Sequence, residues 1–348
     1  MPYSKEIGNL LLPPRIVEAL KKAKLNTCKS VLTLSDLELS KQTKLSQRDV
    51  YAVKQAVSQE VLPRSFITAY KLQLPECPPD LVIRKLSSGC PMLDQFLRGG
   101  LLMRGVTEIA GESASGKTQF CLQLSLQAQL PEYIGGLNAA VAYICTEDSF
   151  PSKRLQQLIQ GIKKNKPHEA SKINFSDQIY ISQIGDVESM WKCVKVTLPN
   201  LLRLKKVKLI IIDSVAALFR CEYDLNQIAQ RAHDLQTLGH LLHKIALDFG
   251  AVVICINQVS AVVDQGGRSN VQEKIVPSLG LAWSNLVTTR VMLSRTSYVY
   301  KETTTQLKVY LPVRKLQVLY APNLPPNHTY FVVTPDCVRG ISLDENCS

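Results

Sequence analysis

One short segment, GESASGKT at residues 111–118, limits the folds open to this chain more than any other. Gly111, Gly116, Lys117 and Thr118 fill every fixed position of the phosphate-binding loop pattern G-x-x-x-x-G-K-[ST]. The residues before it have strand character, and those after it carry apolar side chains at helical spacing. The pattern therefore lies in the strand–loop–helix context that holds the phosphates of a nucleoside triphosphate, and a chance glycine-rich turn explains it poorly.

Each part of this loop predicts its own contact with the nucleotide. Glycines let backbone N–H groups approach phosphate oxygens, and the N-terminus of the following helix adds a positive partial charge. Lys117 is predicted to reach the outer phosphates, and the Thr118 hydroxyl to bind Mg²⁺. The predicted nucleotide-binding residues are Gly111, Glu112, Ser113, Ala114, Ser115, Gly116, Lys117, Thr118, Gln119 and Asp213.

Asp213 joins this set because it ends a second apolar run, LIIID. Strands of a parallel sheet open onto the ligand crevice at their carboxyl ends, so a carboxylate there can support the metal ion beside Thr118. An ordinary turn-forming aspartate is the alternative when this run is considered alone.

Two further runs end in polar residues that suit catalysis. Glu147 follows the apolar run AVAYICT and is the candidate general base that orients water towards the γ-phosphate, with helix capping as the alternative. Gln258 follows the run ending ICIN and is predicted to respond to the γ-phosphate, although such a residue can also be a simple strand exit. Lys117, Glu147 and Gln258 are thus the predicted catalytic residues.

The rest of the chain predicts an α/β fold. Strand-like runs alternate with helical ones, which favours a mainly parallel sheet with helices on both faces. After residue 289 the pattern becomes β-rich, which predicts antiparallel strands at one edge. The predicted strands are 106–110, 139–145, 178–181, 208–212, 251–256, 290–295, 308–313 and 329–333.

Three segments are predicted along the chain. Residues 1–62 form a small helical domain, with Ser35 and Ser46 as helix N-caps. Residues 63–80 contain four prolines and little periodicity, as expected of an extended linker. Residues 81–348 form the nucleotide-binding domain.

Composition limits the compartment and the partners. The formal charge of +12 and the pI of about 9.2 favour a polyanionic partner such as nucleic acid. Ten cysteines occur without a C-x-x-C pair, as expected of buried free thiols in a reducing compartment. Because no apolar signal segment or membrane-spanning run is found, we expect a reducing compartment and no membrane partner, with nucleus and cytoplasm both open as locations.

ATP is the expected nucleotide. A guanine-specific site usually reads its base with N-K-x-D, whereas the nearest sequence here is NKPH at 165–168, which lacks the aspartate. A small kinase would need an arginine-rich lid, and Lys153 and Arg154 are an isolated basic pair.

A set of motifs in fixed order resembles the eukaryotic RecA-like recombinases and their paralogues. The motifs are SGC at 88–90, GGL at 99–101, GESASGKTQ, YICTEDSF, LIIIDSVAALFR and ICINQV. The resemblance implies a RecA-like ATPase core behind a helical N-terminal domain, with ATP and Mg²⁺ bound as described above. It also implies DNA-binding loops near 220–231 and 260–279, with Arg268 and Lys274 as phosphate contacts. A plain surface connection is the alternative for the second loop.

The same resemblance implies contact between subunits. In this family a linker F-x-x-A motif docks its phenylalanine on a neighbouring ATPase domain, and Phe66 and Ala69 match it in position. A phenylalanine in an extended linker has no core of its own, so burial against a partner would contribute about 2–3 kcal/mol. Packing of Phe66 on its own helical domain is the alternative.

Two departures favour a specialised paralogue over a self-polymerising recombinase. Ala114 stands where the family usually has arginine, and Tyr320 where an aspartate precedes the segment that caps a neighbour's nucleotide. The resemblance then implies a mediator of homologous recombination that pairs with another paralogue, binds single-stranded or branched DNA and supports the main strand-exchange recombinase. The alternatives are a recombinase that builds its own filament, an adaptor with structural nucleotide, and a helicase.

Overall fold

The computed structural model describes residues 6–10, 12–61, 68–74, 81–262, 274–303 and 308–343. The chain divides into two compact units, Met1–Val82 and Ile83–Ser348. Within the described ranges, no helix is long and apolar enough to cross a bilayer.

The first unit is helical because its sequence starts and stops helices clearly. A proline opens its first helix, and Ser35 caps the third through a reciprocal pair of hydrogen bonds with Glu38, as predicted. Ser46 accepts a hydrogen bond from the Asp49 amide at 3.2 Å and so caps the fourth. The helices are α1 Pro14–Lys22, α2 Cys28–Leu32, α3 Asp36–Thr43 and α4 Gln47–Val61. Their apolar faces enclose one small core that includes Leu20, Val31, Leu39 and Val53.

The second unit is built around a nine-stranded sheet. Its described strands are β1 Lys85–Leu86, β2 Leu101–Leu102, β3 Val106–Gly111, β4 Ala140–Cys145, β5 Ile179–Gln183, β6 Val207–Asp213, β7 Val252–Asn257, β8 Val259–Val262, β9 Lys274–Pro277, β10 Thr289–Thr303, β11 Lys308–Tyr320, β12 Asn327–Val333 and β13 Val338–Ile341. The helices are α5 Pro91–Phe96, α6 Lys117–Gln127, α7 Ser152–Asn165, α8 Pro167–Ala170, α9 Val187–Lys192, α10 Leu198–Leu204, α11 Val215–Cys221, α12 Ile228–Phe249 and α13 Gly280–Ser284, with a π-helical turn at Cys193–Thr197.

The strand order is β13-β12-β11-β10-β3-β7-β6-β4-β5. From β10 to β5 the neighbours are parallel, whereas β10 to β13 are antiparallel. Apolar cores lie on both faces, one including Leu122, Leu155 and Phe331, and the other including Leu235, Leu242 and Trp283. The predicted α/β fold, with antiparallel strands at the C-terminal edge, is therefore confirmed.

Three local predictions were wrong in extent. β10 continues to Thr303 and β11 to Tyr320, because these two strands pair with each other well beyond the apolar runs that marked them. The predicted first DNA loop at 220–231 is mostly helical, since α11 ends at Cys221, a 3₁₀ turn covers Leu225–Gln227 and α12 starts at Ile228. The second predicted loop begins and ends in an antiparallel ribbon, β8 with β9.

Gly161, inside α7, shows how closely this helix packs. A Cβ at this position would lie 2.2 Å from the backbone oxygen of Asp336. Alanine normally stabilises a helix interior by about 1 kcal/mol relative to glycine. Here we expect Gly161→Ala to lower the free energy of unfolding by about 1–3 kcal/mol, measured by urea denaturation, because a backbone must move. Gly185→Ala, with nothing within 4 Å of the added carbon, is the control, and equal losses in both variants would contradict the packing argument.

Candidate functional site

The site lies at the carboxyl edge of the parallel strands. The loop after β3, at residues 112–116, leads into α6, and Gly116 precedes that helix with a left-handed φ of 99°. Gly111 is required for a different reason, because a Cβ there would lie 2.2 Å from the carbonyl oxygen of Leu293 on β10. Ala114 is also left-handed, with φ 60°. The loop thus wraps tightly around the start of a helix, where backbone N–H groups can bind an anion.

Lys117, the first residue of α6, turns back over the loop. Its ammonium group donates to the carbonyl oxygens of Gly111 at 2.8 Å and Glu112 at 2.7 Å. Burial lowers the pKa of Lys117, while the negative charges of Asp213 and Glu147 act in the opposite direction. The cation is therefore held at the mouth of the loop by groups that phosphate oxygens can replace.

The other residues of the predicted loop have distinct surroundings. Ser113 is exposed, whereas Ser115 is buried and its hydroxyl has no hydrogen-bond partner. Gln119 accepts a hydrogen bond from the guanidinium group of Arg154, which also donates to the carbonyl oxygens of Thr334 and Pro335. Arg154 therefore links the first turn of α6 to the residues that directly follow β12.

Asp213 meets Thr118 as predicted from the strand ends. The Thr118 hydroxyl donates to Asp213 Oδ2 at 2.9 Å, and the Tyr143 hydroxyl donates to the same oxygen at 2.8 Å. Burial raises the pKa of Asp213, and these two hydrogen bonds act against that shift. The result is a hydroxyl and a carboxylate side by side, which are the oxygen ligands that Mg²⁺ prefers.

Sequence reasoning missed Tyr143, although a signal was present. It is a buried tyrosine inside the apolar strand β4, and a buried phenol needs a hydrogen-bond partner. β4 pairs with β6 in a register that places Cys145 opposite Asp213. The neighbouring strand thus supplies the carboxylate, and Tyr143 orients it.

Glu147, which follows β4, and Gln258, which follows β7, are hydrogen-bonded to each other. Gln258 Nε2 donates to Glu147 Oε1 at 2.6 Å, and the Ser214 hydroxyl donates to the same oxygen at 2.6 Å. Arg220 on α11 then donates to Gln258 Oε1 at 2.8 Å. A hydrogen-bonded chain therefore runs from Glu147 through Gln258 to Arg220. The contact of Ser214 with Glu147 was not predicted.

A buried polar cluster lies directly behind this edge. Glu108, fully buried in β3, accepts hydrogen bonds from Asn257 at 2.6 Å and Trp283 at 2.9 Å, and it forms an ion pair with Arg290. Asn257 in turn accepts from the Ser278 hydroxyl at 2.9 Å. The cluster connects the residue before Gln258 with the segment that follows β9.

Tyr320 belongs to this cluster. Its ring lies 5.1 Å from the guanidinium carbon of Arg290, and its hydroxyl donates to the Ser284 carbonyl oxygen at 3.1 Å. Tyr320, the residue that departs from the family pattern, therefore makes contacts within its own chain.

The remaining predicted contacts are only partly described. Ala69 is exposed, while Phe66 and Arg268 lie outside the described residues. Lys274 is the first residue of β9, and its side chain is not described. Within the described part of the chain, no cluster of three or more His, Cys, Asp or Glu side chains could hold a metal ion. A metal at Thr118 and Asp213 would therefore need phosphate oxygens or water to complete its coordination.

Comparison with known proteins covers both units. Residues 81–340 match the Rad51 family, and residues 7–61 match the XRCC3/RpoA-like helix-hairpin-helix domain. The DNA repair protein XRCC3 of Bos taurus is 40% identical over 340 residues, covering 97% of this chain and 98% of that protein. The DNA repair protein rhp57 of Schizosaccharomyces pombe is 30% identical, covering 93% and 96%. The DNA repair and recombination protein RadA of Aeropyrum pernix is 32% identical, covering 72% and 75%.

Proposed function

Because this chain belongs to the Rad51 family, we propose that it is an ATP-binding and DNA-binding recombinase paralogue that mediates repair by homologous recombination. It acts with another paralogue of the family and supports the filament of the main strand-exchange recombinase. The protein works in the nucleus and is also present in the cytoplasm. Its relatives include proteins named for DNA repair and for recombination.

The observation that carries the proposal is the hydrogen-bonded chain from Glu147 through Gln258 to Arg220. One end of this chain is the candidate base, and the other is Arg220 on α11, the first residue of the segment 220–231 that the family resemblance assigns to DNA binding. A change in the Glu147–Gln258 contact can therefore be passed to the surface that meets DNA.

The residues present fit ATP and Mg²⁺. Thr118 and Asp213 offer two oxygen ligands at 2.9 Å from each other, and Lys117 lies at the mouth of the loop. Bound Mg²⁺ would neutralise charge on the phosphates. The other roles belong to residues of the chain. The N–H groups at the start of α6 bind phosphate oxygens, Tyr143 orients Asp213, and Glu147 orients a water molecule and accepts its proton.

DNA binding is supported by charge and by the placement of the second predicted loop. The chain carries a formal charge of +12, and residues 263–273 connect β8 to β9. The Ser278–Asn257 hydrogen bond fixes the base of the β8–β9 ribbon beside Gln258. Lys274 pairs with Val262 at the other end of this ribbon, so its contact with a DNA phosphate, like that of Arg268, is part of the proposal.

The departures at Ala114 and Tyr320 favour a mediator over a recombinase that forms its own filament. Tyr320 contacts Arg290 and Ser284 of its own chain, and a tyrosine also lacks the carboxylate that would cap a neighbour's nucleotide. An electron-microscopy assay of filaments on single-stranded DNA tests this. We expect the chain with its partner to lengthen or stabilise filaments of the main recombinase. Long filaments of this chain alone, with rapid ATP turnover, would instead establish the alternative.

Glu147→Gln tests the catalytic assignment. The amide keeps the shape of the side chain but cannot accept a proton at neutral pH, so we expect ATP hydrolysis to fall by about 10²–10⁴-fold. ATP affinity should stay near that of the unchanged protein, because Glu147 lies beyond the loop residues. Phosphate release and nucleotide titration measure the two effects. Asp148→Asn, at the exposed neighbouring carboxylate, is the matched control, and undiminished hydrolysis by Glu147→Gln would exclude this residue as the base.

A further inference from the structure

Three side chains of one row in the sheet lie against the phosphate loop. Arg295 on β10, Arg314 on β11 and Phe331 on β12 stand opposite one another in the antiparallel ladder, so they point to the same side. Arg295 forms an ion pair with Glu112 at 3.1 Å, and Arg314 Nε donates to the Ala114 carbonyl oxygen at 3.2 Å. The antiparallel edge of the sheet therefore contacts the loop at two of its residues.

Arg314 makes the closest of these contacts with the loop backbone. A Cβ at Gly116 would lie 3.3 Å from Arg314 Cδ and 3.3 Å from the ring of Phe331. Arg314 is half-buried, and burial lowers its pKa. Among the described residues no carboxylate forms an ion pair with it. Its guanidinium group donates instead to the carbonyl oxygens of Ala114 and Pro312. A half-buried cation is thus used to hold the backbone of the loop.

Ala114 has a backbone conformation that its side chain disfavours. Its φ is 60°, in the left-handed region, where the Cβ of an L-residue lies too close to the following carbonyl oxygen. Such a conformation persists only where the surrounding structure holds it. The hydrogen bond from Arg314 holds the carbonyl group of this same residue.

The direction of that carbonyl group decides where the next N–H group points. In a trans peptide unit the C=O and the N–H point in opposite directions. With the Ala114 carbonyl held towards Arg314, the Ser115 N–H points to the Glu112 carbonyl oxygen at 3.3 Å. Lys117 donates to that same oxygen at 2.7 Å. The Ser115 N–H therefore faces the place where the lysine ammonium group is to meet phosphate oxygens.

We propose that Arg314 is a positioning residue for nucleotide binding: it holds Ala114 in the left-handed conformation in which the Ser115 N–H can bind a phosphate oxygen. Arg314 acts through the loop and does not touch the nucleotide. The inference rests on the proposed function, because ATP is the ligand of this loop. It adds that a strand of the antiparallel edge, beyond the loop and α6, sets the affinity for ATP.

The test is the ATP affinity of the full-length chain, measured by fluorescent-nucleotide titration with Mg²⁺. We expect Arg314→Ala to weaken ATP binding by about tenfold, the effect of losing one charge-assisted hydrogen bond. Ala114→Gly in the Arg314→Ala background should recover most of this loss, because glycine adopts a left-handed φ without a contact that holds it. Arg203→Ala is the matched control, since it removes the same charge from an exposed position on α10.

Two further measurements separate position from charge. Ala114→Val leaves Arg314 in place but puts a β-branched side chain at a positive φ, which such residues rarely adopt, so ATP affinity should again fall by about tenfold. At about 1 M salt the Debye length is about 3 Å. A long-range attraction between Arg314 and the phosphates would then be screened, whereas a loss caused by a misplaced peptide group should remain.

The outcomes separate this inference from the proposed function. ATP affinity in Arg314→Ala equal to that of the unchanged protein would overturn the inference alone. So would a loss that Ala114→Gly does not reduce or that disappears at high salt, and so would undiminished affinity in Ala114→Val. Failure of the unchanged protein to bind ATP would remove the nucleotide site and this inference together. Thermal unfolding is measured for every variant, and if Arg314→Ala does not fold, Ala114→Val decides.

Discussion

Lys117→Ala is expected to weaken ATP binding by about 10- to 100-fold, the effect of losing a hydrogen-bonding cation opposite phosphate groups. The structure holds this ammonium between the carbonyl oxygens of Gly111 and Glu112, close enough to the loop for phosphate oxygens to replace them. Alanine removes these two hydrogen bonds but keeps every backbone N–H group of the loop, so the loss should appear mainly in nucleotide affinity. A fluorescent-nucleotide titration with Mg²⁺ measures it.

Lys153→Ala is the matched control, because it removes the same charge from an exposed position on α7. Equal affinities in the two variants would show that Lys117 does not face the phosphates. A third outcome concerns the adaptor alternative. If Lys117→Ala loses ATP but keeps partner binding, DNA binding and repair, then ATP chemistry is not needed and the proposed function fails in that part.

The phosphate loop was readable from sequence because its determinants are local. Gly116 needs a left-handed φ, and Gly111 needs to approach a neighbouring strand, and both demands lie within eight residues of one pattern. Asp213 and Glu147 were also predictable, since the carboxyl ends of parallel strands share one edge. That argument predicts at which edge of the sheet these carboxylates lie, but it does not predict which side chains contact them.

The contacts that sequence reasoning missed depend on strand order. Tyr143 meets Asp213 because β4 lies next to β6, and Glu108 meets Asn257 because β3 lies next to β7. Those pairs are 70 and 149 residues apart in sequence. Periodicity identifies strands without ordering them, so it could not join these side chains. The same limit explains why β10 and β11 were predicted too short. Their outer parts pair with each other beyond the apolar runs that marked them.

Charged residues inside apolar strands were the one available signal for the buried cluster. Glu108 interrupts the run VTEIA, and Arg290 interrupts TTRVML. A buried charge is retained only when it is paired and hydrogen-bonded, so two such interruptions of opposite sign indicate a pair. The structure brings them together between the central strand β3 and its neighbour β10.

Glu108→Ala is therefore expected to lower the free energy of unfolding by about 3–5 kcal/mol, the effect of breaking a buried ion pair from one side. Arg290, only 7% exposed, would keep a charge without its carboxylate, and Asn257 and Trp283 would lose their acceptor. Urea denaturation followed by circular dichroism measures the loss. Lys164→Ala, which breaks an exposed pair with Asp336, is the control and should change the value by less than about 1 kcal/mol.

The same variant has a consequence at the site. Asn257 precedes Gln258, and its two hydrogen bonds, to Glu108 and from Ser278, fix the end of β7 against the segment after β9. Where Glu108→Ala still folds, we expect ATP affinity to be retained while the effect of DNA on ATP hydrolysis is reduced, because Gln258 is no longer held in register with Glu147. If the variant is as stable as Lys164→Ala and DNA changes the rate of its ATP hydrolysis as much as in the unchanged protein, the buried cluster neither supports the fold nor positions Gln258.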